Sequence, residues 1–349
     1  MTLNGGKTAV ILFNLGGPDG PDAVQPFLFN LFNDPAIITA PLPFRWLIAK
    51  IISRRRAPIA RDIYAELGGS SPLLAETEAQ AKALETVLDD PLQTVRVFTC
   101  MRYWHPMSDA VARDVAAWAP DQVILLPLYP QFSTTTTGSS IKDWQRAARK
   151  ANLNVRTAAV CCYPQDEDFV AAQTRQIRRT LTNVTGPRRV LFSAHGLPKK
   201  IIDAGDPYQF QIERSAEAIA REVGLGVGEW VVCYQSRVGP LEWIGPSLDT
   251  ALAQTARDSR AAVVVPISFV SEHSETLVEL DIEYRKIAGD VGVAQYHRVP
   301  TVSINPGFIE TLAKLVKLTM ARRGICPPDN QRFCPIGAVG CACAARPHA

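Results

Sequence analysis

Continuous apolar runs, rather than alternating ones, set the pattern of this chain. Ala9-Val10-Ile11-Leu12-Phe13, Val123-Ile124-Leu125-Leu126, Val190-Leu191-Phe192 and Val263-Val264-Val265 contain no polar residue. Short apolar runs bounded by turn residues are the signature of strands covered on both faces of a parallel sheet. The pattern predicts eight strands, at 8–14, 95–102, 123–128, 155–162, 189–194, 230–235, 262–267 and 294–299. Helical composition fills 108–118, 141–151, 168–181, 215–223 and 246–258 between them. Alternating strands and helices predict an α/β, doubly wound, parallel architecture. The strands fall into two sets of four that divide near residue 155, so two similar domains are expected.

Two stretches break the alternation. Residues 26–58 hold Phe27, Leu28, Phe29, Leu31, Phe32, Ile37, Ile38, Leu42, Phe44, Trp46, Leu47, Ile48, Ile51 and Ile52, followed by Arg54-Arg55-Arg56. This stretch reads either as core or as an apolar lip whose basic flank meets anionic lipid. The second is the tail, where Cys326, Cys334, Cys341 and Cys343 lie within 18 residues.

Composition narrows the class. The chain has 349 residues, 47% of them apolar and 20% charged, enough for two globular domains. A net charge of +3, with no recognisable nucleic-acid motif, gives no reason to expect nucleic acid as a partner. No apolar run reaches the 18 or so residues of a membrane span, and residues 1–7 lack a signal-peptide pattern. A cytoplasmic protein is expected, with its eight cysteines reduced or metal-bound rather than paired.

Candidate chemistry sits where strands end. In open α/β sheets, ligands bind outside the carboxyl ends of the strands. Phe192-Ser193-Ala194-His195-Gly196-Leu197-Pro198 places an imidazole there, a candidate proton acceptor near neutrality. After the 262–267 strand, Ser271-Glu272-His273-Ser274-Glu275 opens a predicted helix, with Ser271 or Ser274 as its N-cap. Glu275, Glu279 and Glu283 follow at i, i+4 and i+8, on one helix face. They read either as a solvated acidic face or as a carboxylate ladder carrying protons or a hard cation. Other strand ends offer Asn14-Leu15-Gly16-Gly17-Pro18, Met101-Arg102-Tyr103-Trp104-His105, Tyr129-Pro130-Gln131-Phe132-Ser133 and Gln235-Ser236-Arg237. The dinucleotide-binding G-x-G-x-x-G fingerprint is absent. Aromatics, an arginine in each half and few titratable groups suit a large flat ligand with acidic side groups.

With these blocks in this order the chain closely resembles ferrochelatase, the family that inserts ferrous iron into a porphyrin at the last step of heme synthesis. The resemblance runs from about residue 8 to residue 321. It also takes in Gly69-Ser70-Ser71-Pro72, Gly205-Asp206-Pro207-Tyr208 and Tyr234 to Pro240. It implies two Rossmann-like doubly wound domains of the class II chelatase type, with the porphyrin in the cleft between them. The expected division is 7–155 with the lip at 26–58, then 156–323 with its last helix free to pack back on the first domain, then a cluster-binding tail at 324–349.

The resemblance makes His195 and Glu275 catalytic and the sites of ferrous iron, and carries the proton or metal path through Glu279, Glu283 and His273. It implies porphyrin contacts at Leu15, Arg102, Tyr103, Phe132, Ser133, Leu241, Trp243 and Phe269. Some ferrochelatases hold a [2Fe–2S] cluster with three C-terminal cysteines and one internal cysteine. Here that implies Cys334, Cys341 and Cys343 with Cys161 or Cys162. Expected partners are protoporphyrin IX, ferrous iron and an anionic membrane surface on the inner face of the cell membrane, with a homodimer as the candidate assembly. The alternatives are a coproporphyrin III ferrochelatase, a cobalt chelatase of the same fold, or a non-catalytic heme or iron sensor.

Overall fold

The computed structural model describes residues 6–91, 93–237, 239–327 and 331–345. Among the described residues, nine strands form two wholly parallel sheets. They are β1 (Lys7–Asn14), β2 (Thr94–Met101), β3 (Gln122–Pro127), β4 (Arg156–Val160), β5 (Arg188–His195), β6 (Trp230–Gln235), β7 (Ala261–Pro266), β8 (Tyr296–Arg298) and β9 (Gly324–Cys326). The first sheet has the order β2-β1-β3-β4-β9 and the second β6-β5-β7-β8. All eight predicted strands are present; the continuous apolar runs were a sound guide because β1 and β7 are buried almost end to end.

By internal packing the chain divides into two compact units. One comprises residues 1–162, 312–333 and 345–349, the other 163–311 and 334–344. In the first unit, Phe13, Val115, Leu125 and Trp144 pack between the sheet and the helices Ser108–Trp118 and Thr137–Lys150. Phe13 and Trp144 meet edge to face, with ring centroids 6.3 Å apart. In the second unit, Val190, Phe192, Ile212, Ile219 and Val265 pack beneath helix Tyr208–Val223. Leu191, Leu252, Val264 and Leu280 fill the opposite face. Asp166 starts helix Glu167–Leu181 by accepting from the amides of Asp168 and Phe169 at 3.1 and 3.3 Å, satisfying donors that have no partner inside the helix.

Each sheet reverses its strand order beside its first strand: between β1 and β3, and between β5 and β7. Such a switch point opens a crevice at the carboxyl ends of the strands. His195 is the last residue of β5, so it stands at the second switch point.

Two expectations change. Residues 275–283 form a π-helix, with i→i+5 hydrogen bonds, not an α-helix. Ser274 occupies the N-cap position without a side-chain capping bond; Thr276 exchanges hydrogen bonds with the backbone of His273. The tail is not a separate appendage. Its start forms β9 against β4, and residues 334–344 belong to the second unit. There Gly340 N donates to Gly205 O at 2.9 Å. Gly205 has φ +92° and a Cβ on it would meet the Val339 side chain at 2.6 Å, so glycine is required for this approach. Val238, quoted in the 234–240 block, and the tail residues 328–330 and 346–349 lie outside the described residues.

Candidate active site

The second unit gathers an imidazole and two carboxylates on one serine. His195 Nδ1 lies 2.7 Å from Glu275 Oε2. Ser236 Oγ lies 3.1 Å from Glu275 Oε2 and 2.6 Å from Glu279 Oε2, its single proton available to either carboxylate in turn, while Ser236 N donates to Glu279 Oε1 at 2.8 Å. Gln235 Nε2 adds a bond to Glu279 Oε2 at 3.3 Å, and its Oε1 accepts from the buried Ser193 hydroxyl at 2.7 Å. Ser236 has φ +60°, which is uncommon for a residue with a side chain. That backbone turn aims both its N–H and its hydroxyl at the carboxylates.

Local packing holds the imidazole in place. Gly196 follows it, and a Cβ there would sit 2.9 Å from Gln235 O and 3.3 Å from the Trp243 ring. Glycine therefore lets the chain pass close to β6 and leaves Trp243 beside His195. Tyr208 donates its hydroxyl to His195 O at 3.1 Å. The His195 side chain remains 41% exposed and Glu275 21%, so the pair is open to a ligand.

The environment separates the two carboxyls. Burial disfavours an ionised Glu275, but the His195 charge and hydrogen bond, aided by His273 and Ser236, win and draw its pKa down to about 2. For Glu279, burial and the Glu275 charge outweigh the Ser236 bonds and push the pKa up to about 7. Burial lowers the His195 pKa, yet Glu275 and Glu279 outweigh it and the net shift is upward. His273 is shifted down by its own burial. That burial favours the neutral ring, whose Nδ1 lies 3.1 Å from Ser271 O and whose centroid is 4.7 Å from that of Phe269.

The remaining expected residues divide. Glu283 is exposed at the end of the π-helix, outside the Ser236 network. Phe269 and Trp243 are half-buried and Leu241 is 47% exposed, so all three offer surface in the second unit. In the first unit Leu15 is half-buried. Tyr103, Phe132 and Ser133 are 1%, 2% and 0% exposed and present almost no surface of their own. Arg102 is already engaged: it donates to Asp34 at 2.7 Å and to Ser139 at 2.7 Å, and lies 3.7 Å from Asp143. These residues were expected to touch the porphyrin; here Tyr103, Phe132 and Ser133 are buried and the Arg102 guanidinium is held by Asp34 and Ser139.

The cysteines are buried: Cys161 and Cys162 after β4, and Cys334, Cys341 and Cys343 in the tail. Cys334 Sγ accepts from Gln211 Nε2 at 3.0 Å, and Cys341 Sγ from Cys343 N at 3.4 Å. Among the described residues no three His, Cys, Asp or Glu are gathered to hold a metal ion. The tail packs through Gly205 and its own buried side chains. The side chain of Cys326 lies outside the described residues.

Sequence reasoning assigned no role to Ser236 or Asp34. Ser236 stood in a quoted block between a strand end and an arginine, but its positive φ leaves no mark in sequence. Asp34 was the lone acid within an apolar stretch, and that contrast was the available signal.

Comparison with known proteins places the chain in a family. The Ferrochelatase family model matches residues 7–320. A ferrochelatase of Caulobacter vibrioides is 54% identical over 315 residues, covering 89% of this chain and 90% of that protein. One from Pelagibacter ubique is 47% identical over 342 residues, covering 97% and 98%. Among solved structures, SirB from Bacillus subtilis with Fe3+ is similar in fold alone, with a TM-score of 0.54 at 13% identity, covering 90% of this chain and 96% of that one. The chain belongs to the ferrochelatase family.

Proposed function

We infer that this protein inserts ferrous iron into protoporphyrin IX, giving protoheme and two protons, at the end of heme biosynthesis. The observation that carries the reading beyond family membership is the His195–Glu275–Ser236–Glu279 network. Insertion breaks two pyrrole N–H bonds, forms iron–nitrogen bonds and releases two protons, with no change of oxidation state. It therefore needs proton acceptors and a place where a hydrated cation can shed water. Glu275 stays ionised across the physiological range and supplies a hard oxygen for Fe2+. Glu279, at about 7, is divided between acid and base at neutral pH, the condition under which proton transfer is most efficient. Glu283, exposed at the end of the same helix, leads protons to solvent. Trp243, Phe269 and Leu241 give an apolar surface in the unit that carries His195.

An anaerobic assay with Fe2+ against protoporphyrin IX and coproporphyrin III tests this. Metallation of protoporphyrin IX is expected. Failure with both would overturn the enzyme reading, and preference for coproporphyrin III or for Co2+ would move it to the related chelatases. The intact His195–Glu275 pair argues against a non-catalytic sensor.

Two finer readings belong here. We propose that helix Leu42–Ala65 rests on an anionic membrane surface. Leu42, Phe44, Trp46, Leu47, Ile48 and Ile51 are 37–65% exposed on it, and Arg54, Arg55 and Arg56 are exposed in its next turn. Among the described residues no helix is long and apolar enough to cross a membrane. We also propose that the tail cysteines Cys334, Cys341 and Cys343, with Cys161 or Cys162, are capable of holding a [2Fe–2S] cluster. The donor chemistry fits: the sulfurs are buried, and two of them accept N–H hydrogen bonds. Such a cluster would be structural, since insertion transfers no electrons.

A further inference from the structure

Asp34 is 4% exposed, in a segment otherwise rich in apolar side chains. Its Oδ2 accepts three hydrogen bonds: from Arg102 at 2.7 Å, from the Tyr103 hydroxyl at 2.8 Å, and from the Ser139 hydroxyl. Its Oδ1 accepts from Ala36 N at 2.8 Å. The three Oδ2 donors come from two places. Arg102 and Tyr103 directly follow β2, and Ser139 lies in the first turn of the helix after β3. The carboxylate thus spans the carboxyl ends of the strands on either side of β1, at the first sheet's own switch point. This is where an α/β sheet ordinarily receives a ligand. Here the chain supplies its own anion.

The segment this anion belongs to is the apolar one. Helix Val24–Phe32 ends just before Asp34 and helix Leu42–Ala65 follows. Asn30 Nδ2 donates to Tyr103 O at 3.0 Å, and Arg45 Nε donates to Asn33 O at 2.8 Å, so neighbouring side chains brace the same turn. Phe27, Leu28, Ala57, Tyr64 and Tyr103 form one cluster, with Leu15 packed against it. A charge-assisted group with three donors is far harder to move than the apolar contacts around it, because the Tyr103 and Ser139 hydroxyls would lose their acceptor and Arg102 its nearest carboxylate.

We propose that Asp34 is a positioning residue that latches the segment 24–65 to the ligand end of the first sheet, and that porphyrin binding depends on this latch. Arg102 then acts through Asp34, its charge being used to hold the latch rather than to meet a porphyrin carboxylate. The proposal rests on the porphyrin reading above.

The test compares Asp34→Ala, Arg102→Ala, the double variant and Asp34→Asn in the full-length protein. Amide hydrogen exchange over residues 24–40 should accelerate about tenfold or more in Asp34→Ala, while β1 and β3 keep their protection. The porphyrin KM should rise roughly five- to tenfold, with kcat within about twofold of wild type. The double variant should be no worse than Asp34→Ala, since both remove one interaction. Asp34→Asn, which still accepts from Tyr103 and Ser139, should fall between wild type and Asp34→Ala. Unchanged exchange and KM would overturn the proposal. So would additive single effects, or a loss of kcat and thermal stability with KM unchanged. Should Asp34→Ala not fold, Ser139→Ala removes one donor and is read by the same measures. If the wild type metallates no porphyrin, the functional reading falls, and the exchange measurement alone still decides the latch.

Discussion

Glu279→Gln should make the protein more stable and less active, with both effects set by pH. A carboxyl lifted from 4.5 to about 7 is disfavoured as an anion by about 3 kcal/mol. The sign follows from proton counting. Between pH 4.5 and 7 the folded state holds the Glu279 proton more tightly than the unfolded chain does. Stability therefore falls as pH rises through that window, and the full cost is present above pH 7. A glutamine carries no charge and removes this cost. It also weakens the bonds from Ser236 and Gln235, a loss of about 1–2 kcal/mol. The net gain at pH 8 should be about 1–2 kcal/mol, seen as a rise of a few degrees in thermal midpoint. At pH 5, where wild-type Glu279 is largely protonated, the gain should vanish or reverse. Turnover should fall by roughly ten- to a hundredfold, and the limb near pH 7 in the wild-type profile should disappear. Thermal scans and initial rates from pH 5 to 8.5 measure both. A variant equally destabilised at pH 5 and pH 8, or a pH 7 limb that survives, would refute the assignment of Glu279.

Other outcomes follow from the same geometry. His195→Ala should abolish insertion while the fold persists, because the side chain is 41% exposed at a strand end; near-normal turnover in the folded variant would remove it from the mechanism. Glu275→Gln should lose more activity than Glu279→Gln, and Glu283→Gln should lose little, being exposed and outside the Ser236 network; three equal effects would return these acids to a solvated face. Replacing Arg54, Arg55 and Arg56 by Gln should weaken co-sedimentation with anionic vesicles by up to about 3 kcal/mol, roughly a hundredfold, and absence of wild-type binding at low salt would refute the membrane reading. Anaerobically purified protein should be coloured and bleach in Cys341→Ser; a colourless preparation, with no loss in that variant, would show that the buried tail sulfurs are packing groups.

Much of the fold was legible because burial on both faces leaves a plain mark in sequence. The 123–128 and 262–267 runs became β3 and β7 with a shift of one residue at each end. β9 was illegible: three residues, Gly324-Ile325-Cys326, pair with a strand more than 160 positions earlier, and nothing local dictates that. Residues 294–299 were read too long, since only Tyr296–Arg298 pair on the edge of the second sheet. Of the three acids at a spacing of four, two meet at one residue. Spacing of four brought Glu275 and Glu279 to one serine, but the same spacing is compatible with an α- or a π-helix and left Glu283 outside the network. Arg102 and Tyr103 illustrate the harder limit. Their residue types and place at a strand end suggested ligand contact. That their donors are already taken depends on Asp34, which lies 68 positions away from Arg102.

On the proposed reading of the site, the separation of the two carboxyls also orders the proton steps. In the substrate-free site His195 has a raised pKa and sits 2.7 Å from an ionised Glu275, which favours the imidazolium over the neutral ring relative to a free imidazole. An imidazolium accepts no further proton and repels a divalent cation. Iron approaching this pair must therefore displace that proton, which leaves a neutral ring able to act as a base toward a pyrrole. The displaced proton needs an acceptor that is neither fully ionised nor fully protonated at the working pH. Glu275, held near 2, is too weak a base, and Glu279 at about 7 is matched to the task. The Ser236 hydroxyl touches both carboxylates, at 3.1 and 2.6 Å, and is the shortest bridge between them. If protons pass this way, Ser236→Gly, which suits the backbone at φ +60°, should keep the fold and move the neutral limb of the rate profile to higher pH, because the hydroxyl lowers the Glu279 pKa. A limb that stays in place, or moves to lower pH, would mean that protons leave His195 by another route.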